Sequence, residues 1–153
     1  MEEGAPQFGR AEPGLAYAER PAAFGLALRD GRLACVRVER SDMAAYLDLP
    51  GGAIDPGEDA REALRREFLE ETGLKVRAVE EIARADQRFR KSDGAPVNNR
   101  AAFFTAEIEG EAPEAKVEDD HTLVWLDPVE ALRSLRHEAH AWAVAAWLRR
   151  RTT

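Results

Sequence analysis

Residues 52–74 read GAIDPGEDAREALRREFLEETGL, and this segment decides how the rest of the chain is interpreted. Two glycines, four glutamates and one arginine stand in it at fixed offsets: Gly52, Glu58, Arg66, Glu67, Glu70, Glu71 and Gly73. Pro56-Gly57 predicts a turn, and Asp59 followed three residues later by Glu62 is typical of a helix N-terminus. Gly73 suits the left-handed position just beyond a helix C-terminus. The segment therefore predicts a short helix over residues 59–72 with a loop on either side.

The acidic side chains of this helix lie where apolar side chains are usual. At 100° per residue, the broad face that should pack on a core contains Ala60, Ala63, Leu64 and Phe68. Glu67, Glu70 and Glu71 fall in the same half of the helix, with Cβ atoms about 5–6 Å apart. Carboxylates this close repel one another, whereas a hard divalent cation prefers several oxygen ligands at once. The pattern therefore indicates a metal site.

A second interpretation of the same segment is a solvated helix rich in arginine and glutamate. Charged residues make up 33% of the chain, and pairs such as Glu62–Arg66 and Arg66–Glu70 stabilise exposed helices. This interpretation accounts for part of the charge. It explains neither the glycines at fixed positions nor the acidic residues on the core-facing half, so the pattern favours a ligand for the glutamates.

The spacing of these residues resembles the signature of the Nudix hydrolases, a family that includes MutT-like enzymes. That signature runs from a glycine through a glutamate to Arg-Glu-aliphatic, Glu-Glu and Gly-aliphatic, and here it covers 23 of the 153 residues. Leu49-Pro50-Gly51 also matches the residues that usually precede this signature in the family. Phe68 stands where the family has an aliphatic residue, and its size suits the same core position. Marks of particular subfamilies are mostly absent.

The resemblance implies an α+β fold, in which a central mixed sheet lies between helices as an α/β/α sandwich and the signature forms a loop–helix–loop. Gly, Pro and Glu are frequent in residues 1–13, which predicts a flexible N-terminal arm, and residues 14–153 are then a single Nudix domain. The other predicted strands cover residues 22–28, 33–39, 46–49, 76–84, 101–109 and 122–126, with a bulge near Val79 and Ile82. Helices are predicted from Pro128 and over residues 137–150, and loops over 88–100 and 110–120.

The resemblance also implies hydrolysis of a nucleoside diphosphate linked to another moiety, with Mg²⁺ or Mn²⁺ as cofactor. The implied metal ligands are Glu67, Glu70, Glu71, the Gly52 carbonyl and Glu58. Arg66 suits a role in orienting a glutamate, because its guanidinium forms a fixed fork. The general base is either Glu70 or a carboxylate of the downstream loop, where Glu118, Asp119 and Asp120 are candidates.

The substrate is less well specified than the chemistry. The candidate substrate contacts near the loop after the signature are Arg88, Phe89, Arg90 and Arg100, and a solvated basic loop is the alternative. By elimination of subfamily marks, the leading substrate is a nucleoside triphosphate, including an oxidised one. ADP-ribose, a nucleotide sugar and a dinucleoside polyphosphate are alternatives. Two other functions stay open: a non-catalytic, nucleotide-binding regulatory Nudix domain, and a structural or protein-interaction domain.

Composition limits the functional classes further. The formal net charge of -7 argues against stable nucleic-acid binding, while a small-molecule nucleotide remains compatible with a local basic patch. The single cysteine, Cys35, excludes an internal disulfide and fits a reducing, cytoplasmic compartment. No signal peptide or membrane span is predicted. A homodimer is left open, and the histidines His121, His137 and His140 are expected to be surface or capping residues.

Overall fold

The computed structural model of the protein describes residues 4–151. Its strands are β1 (Gln7–Phe8), β2 (Ala18–Arg29), β3 (Arg32–Arg40), β4 (Met43–Asp48), β5 (Gly51–Ala53), β6 (Leu74–Arg90), β7 (Pro96–Glu111) and β8 (His121–Leu126). Its helices are α1 (Ala60–Thr72), α2 (Pro128–Ser134) and α3 (Glu138–Arg151), with a short 3₁₀ turn at Pro113–Ala115. The strands form one mixed sheet with the order β1-β6-β7-β2-β3-β4, to which β5 is joined through β2 and β8 through β3.

The sheet divides in the middle, and this division creates the space for a site. Strands β2 and β3 pair only next to their connecting turn, at Leu28↔Leu33 and Arg29↔Arg32. Further along, β2 pairs with the short strand β5 instead, while β3 pairs with β4 and β8. The two halves therefore diverge, and the signature loop, which carries β5, enters between them.

Helices cover both faces of the sheet. Helix α1 packs Leu64 and Phe68, both fully buried, into a core with side chains of β2, β6 and β7. Helix α3 packs Val144 and Trp147 into a second core on the opposite face, around Phe103. This arrangement confirms the predicted α+β sandwich and its loop–helix–loop.

The predicted caps of α1 are present. Asp59 accepts a hydrogen bond from the backbone N–H of Glu62, and Gly73 has φ of 76° and donates its N–H to the Leu69 carbonyl. The predicted bulges of β6 are present too, because its pairing with β7 shifts register between Ala78 and Glu80 and again between Glu81 and Ala83. Val79 and Ile82 are the residues left out of the pairing at these shifts.

The prediction of a loop over residues 88–100 is wrong. Strand β6 continues to Arg90, and β7 already begins at Pro96, so a turn of five residues joins two long strands. The charged and amide side chains of this stretch have low strand propensity, and cross-strand pairing overrides that propensity. The predicted acidic loop at 110–120 is shorter for the same reason, since β7 extends to Glu111.

Part of the predicted N-terminal arm lies against the sheet. Gln7–Phe8 pairs with β6 in parallel, the Gln7 amide bonds to Asn98, and Glu12 forms an ion pair with Arg90. The flexibility of residues 1–13 and the domain boundary at residue 14 stay predictions, and residues 1–3 lie outside the described part of the chain. Within residues 4–151, no helix is both long and apolar enough to cross a bilayer.

Candidate active site

Arg66 is the residue that organises the acidic face of α1. Its Nε and Nη2 donate to the two carboxylate oxygens of Glu58, each at 2.8 Å. Its Nη1 lies 3.0 Å from Glu67 Oε1 and 3.3 Å from Glu70 Oε2, and Nη2 also donates to the Ala53 carbonyl. These hydrogen bonds lower the pKa of Glu58 to about 2. Arg66 therefore joins the signature loop to two of the predicted metal ligands and holds their carboxylates in position.

Glu71 is fixed at both of its oxygens and is buried. Its Oε1 accepts the backbone N–H of Gly51 at 3.0 Å, and its Oε2 lies 3.4 Å from His121 Nε2. Burial raises the pKa of Glu71 well above its usual value, and the Gly51 N–H only partly opposes this effect. A buried carboxylate of this kind lowers the stability of the fold, because nothing in its surroundings fully compensates its charge.

Glu67 lies against the backbone of the signature loop. A Cβ added at Gly52 would come within 2.8–3.0 Å of the Glu67 carboxylate, so only glycine leaves room there. Burial raises the pKa of Glu67 to about 7, although Arg66 acts in the opposite direction. Glu67, Glu71 and the Gly52 backbone thus offer oxygen donors in a partly desolvated place, and this donor chemistry suits a hard divalent ion such as Mg²⁺.

The loop before β8 brings further acidic groups to the same end of α1. The backbone N–H groups of Val117 and Glu118 both donate to the Glu70 carbonyl, at 2.9 and 3.1 Å. Within residues 4–151, ligand atoms of Glu118, Asp120 and His121 lie within 4.8 Å of one another, whereas Glu67, Glu70 and Glu71 do not meet that closely as a set. Asp120 also accepts a hydrogen bond from Arg40, and Asp119 is exposed.

A cleft of about 260 Å³ opens beside these groups. One end is formed by the signature residues Gly51, Gly52, Ala53, Glu67 and Glu71. The other end carries the basic and aromatic residues Arg20, Tyr46, Phe89, Arg136 and His137, together with Asp48 and Asn99. They come from β2, β4, β6, β7 and the segment just before α3. An acidic end for metal and a basic, aromatic end for the rest of a ligand therefore share one opening.

Of the four predicted substrate contacts, the structure brings only Phe89 to this cleft. Because side chains alternate along β6, its neighbours Arg88 and Arg90 lie on the other side, where they bond to the Gly9 carbonyl and to Glu12. Arg100 faces away as well, beside Asp86 at 3.2 Å.

Sequence analysis missed most of the basic, aromatic end. Arg136 donates to Asp48 from 88 positions away, and its guanidinium carbon lies 3.7 Å from the centroid of the Tyr46 ring. Burial raises the pKa of Asp48, and Arg136 opposes that shift. The signal available in the sequence was weak: Tyr46 and Asp48 alternate with Leu47 just before the signature.

The expectation for the histidines is corrected. His137 and His140 are only 6% and 2% exposed, and burial lowers the pKa of both. His140 Nδ1 accepts the backbone N–H of Leu49, and the His137 ring packs 4.6 Å from the ring of Phe89. His121 is partly buried and contacts Glu71 and Asp120. The partners Leu49, Glu71 and Phe89 lie about 50 to 90 positions away in sequence, so the local pattern gave no sign of burial.

The fold and the site define a class of small α+β proteins with an acidic helix beside a nucleotide-sized cleft. The profile of the NUDIX domain matches residues 19–148, which is most of the chain. The chain therefore belongs to the Nudix family. Its subfamily is not resolved by these similarities.

Similar proteins agree with this membership. The chain is 31% identical over 106 residues to the CTP pyrophosphohydrolase of Escherichia coli strain K12, covering 69% of this chain and 73% of that protein. It is 47% identical over 49 residues to the RNA pyrophosphohydrolase of Bradyrhizobium sp. strain ORS 278, where the match spans only 32% of this chain and 28% of the relative. The MutT protein structure from Methanosarcina mazei Go1 superposes with a TM-score of 0.70 at 20% identity, covering 92% of this chain and all of that one.

Proposed function

We propose that the protein is a pyrophosphohydrolase that cleaves a phosphoric anhydride bond in a nucleoside diphosphate linked to another moiety, with Mg²⁺ or Mn²⁺ as cofactor. The observation that carries this proposal is the shared cleft, in which signature carboxylates face cationic and aromatic side chains. A polyphosphate needs the acidic end to hold its metal, and the group attached to it needs the other end. Relatives named CTP and RNA pyrophosphohydrolases support the same reaction class.

The residues that would hold the metal are Glu67, Glu70, Glu71 and the Gly52 carbonyl, with Glu58 as a further candidate. When bound, a divalent ion supplies charge neutralisation at the phosphoryl oxygens and lowers the pKa of an attacking water. Arg66 keeps Glu67 and Glu70 in place through its Nη1 group, so that the oxygens need not reorganise during the reaction.

The proton of the attacking water goes to a carboxylate of α1 or of the loop before β8. We assign this general base to Glu70, whose carboxylate is partly exposed and reaches Arg66 only at 3.3 Å. Glu118 is the alternative, because its backbone N–H anchors the loop to the Glu70 carbonyl and brings its carboxylate close. Asp119 is exposed and Asp120 is paired with Arg40, so these two are less suitable.

The leading substrate is a nucleoside triphosphate, oxidised or not. The cleft supports this choice because its second end combines rings with basic side chains, as a nucleobase and its phosphates require. ADP-ribose, a nucleotide sugar and a dinucleoside polyphosphate are the alternatives to be tested beside it.

The test follows the products of anhydride cleavage, the nucleoside monophosphate and the phosphorylated group released with it, by anion-exchange chromatography. It covers all these substrate classes, with and without Mg²⁺, for the wild type and for Glu71→Gln. The glutamine side chain keeps an oxygen to accept the Gly51 N–H, so the variant should stay folded, which circular dichroism checks. We expect metal-dependent turnover of one class by the wild type and a loss of at least about 100-fold in the variant. Full activity of Glu71→Gln would falsify its assignment as a metal ligand, and silence of the folded wild type on every class would refute hydrolysis of these substrates.

A further inference from the structure

Arg20 differs from the other basic residues of the cleft. Three of the cations that line it have a carboxylate partner: Arg40 with Asp120 at 2.8 Å, Arg136 with Asp48 at 2.9 Å and Lys91 with Asp93 at 3.9 Å. No carboxylate oxygen of residues 4–151 lies within 4.0 Å of the Arg20 guanidinium. Arg20 is half-buried, and the carboxylate whose charge acts on it, that of Glu67, forms no ion pair with it.

The same side chain is nevertheless fixed in direction. Arg20 and Asn99 are cross-strand partners of β2 and β7, and Arg20 Nε donates to Asn99 Oδ1 at 2.7 Å. The guanidinium carbon lies 5.8 Å from the centroid of the Phe89 ring. With Nε occupied, the two terminal amino groups are the donors that remain for a ligand, and they are held as a flat fork.

Other groups around Arg20 are also unused. Asn99 is 3% exposed, and its Nδ2 has no acceptor among the described residues. His137 lines the cleft, and none of the hydrogen bonds within residues 4–151 involves its ring nitrogens. The rings of Tyr46 and Phe89 line the same cleft as these groups, so that flat apolar faces and hydrogen-bonding atoms occur together there. A nucleobase can stack on a ring and bond to polar atoms at its edge, whereas a phosphate has no flat face.

We propose that Arg20 is a specificity-determining residue that donates a two-pronged hydrogen bond to a nucleobase with two adjacent acceptors. Among the common bases, guanine offers O6 and N7, and cytosine offers O2 and N3. Adenine places a donor beside N7, and uracil has a hydrogen on N3. Oxidation of guanine at C8 puts a hydrogen on N7 and removes the pair. Guanine and cytosine nucleotides are therefore preferred over those of adenine, uracil and 8-oxoguanine. This inference rests on the proposed function for its choice of ligand.

Two variants test the fork, with a matched control on the same strand. Arg20→Met removes every donor, and Arg20→Lys keeps the charge without the fork. Arg29→Met is the control, since Arg29 lies at the far end of β2, where it pairs with Glu111 and contacts the Trp125 ring. The quantities measured are kcat/KM for GTP, CTP, ATP, UTP and 8-oxo-dGTP, and the dissociation constants of the corresponding monophosphates by calorimetry.

For both Arg20 variants we expect kcat/KM to fall about 5- to 150-fold for GTP or CTP, the range of one bidentate base contact, and to change little for ATP and UTP. An equal loss on all nucleotides would instead make Arg20 a phosphate ligand and overturn the proposal, and so would a wild-type preference for ATP, UTP or 8-oxo-dGTP. Monophosphate binding separates this test from turnover. A wild type that hydrolyses nothing, yet binds GMP or CMP in an Arg20-dependent way, refutes the proposed function alone. Equal binding of all monophosphates, or of none, refutes this inference.

Discussion

Arg66 shows how one side chain can determine the position of several carboxylates. Replacing it by Met keeps most of its volume but releases Glu58, Glu67 and Glu70 together. We expect the affinity for Mn²⁺ and kcat each to fall about 10- to 100-fold, as is typical when a group behind the metal ligands is lost. Titration of the paramagnetic ion and steady-state kinetics measure the two effects. Arg65→Met, at the exposed neighbouring position, is the control and should leave both unchanged.

Gly52 offers a test of how closely the loop approaches the helix. In Gly52→Ala the new methyl group would lie 2.8–3.0 Å from the Glu67 carboxylate, which must move. Because a displacement of about 1 Å in a reacting site can cost 100-fold in rate, we expect kcat to drop by about that factor with little change in melting temperature. Gly110→Ala, with nothing within 4 Å of its Cβ, is the matched control. Equal kinetics for the two variants would show that Glu67 tolerates the shift.

At the level of elements, the contact of α1 with β2 explains the aromatic residue in the signature. A Cβ at Gly25 would lie 2.7 Å from Phe68 Cε2, so the absence of a side chain on β2 makes room for the ring. We expect Gly25→Ala to lower the free energy of unfolding by about 1–3 kcal/mol through overpacking. In a Phe68→Leu background the same change should cost less, with a coupling of at least about 0.5 kcal/mol. Urea unfolding of the four proteins measures it, and strict additivity would refute the account.

The limits of sequence analysis are also visible at the level of elements. Helix α1 and the bulges at Val79 and Ile82 were predictable, because caps and interrupted alternation are local signals. The position of the β6–β7 turn was not predictable. It depends on pairing between two strands whose polar residues near the turn give no local strand signal. Phe89 reaches the cleft only because β6 is still a strand there, and that continuation also turns Arg88 away.

The stability of the whole molecule depends on pH through its buried histidines, His137 and His140. The unfolded chain binds a proton at a histidine near pH 6.5, whereas the folded pKa of His140 lies well below that value. Below pH 6.5 the unfolded state therefore holds more protons, and stability contributed by neutral His140 is lost as the pH falls. His137, whose pKa burial lowers to about 3, acts in the same direction.

This effect is measurable with His140→Asn, because Asn keeps an acceptor for the Leu49 N–H but does not titrate. The variant is less stable than the wild type at pH 7 because it fills less volume. Between pH 7 and pH 5 the wild type should lose more unfolding free energy than the variant does. Urea unfolding at several pH values provides the comparison, and parallel curves would contradict the assignment of His140 as a neutral, buried residue.

At the scale of the whole molecule, one end of the site could be predicted from the sequence and the other could not. The acidic end comes from one continuous segment, so its seven spaced residues were identifiable together. The second end is assembled from Arg20, Asp48, Asn99 and Arg136, which tertiary packing brings together across more than 100 positions. No spacing rule connects such residues, and only the divergence of β2 from β3 explains why they meet.

The separation of these two ends has an evolutionary consequence. Arg20 forms no hydrogen bond or ion pair with a described residue of α1, and the turn that carries Lys91 is likewise independent of that helix. A mutation at Arg20 or in that turn therefore removes no hydrogen bond or ion pair of the acidic helix. After gene duplication, one copy of such a gene can vary these residues while the acidic helix keeps its own contacts.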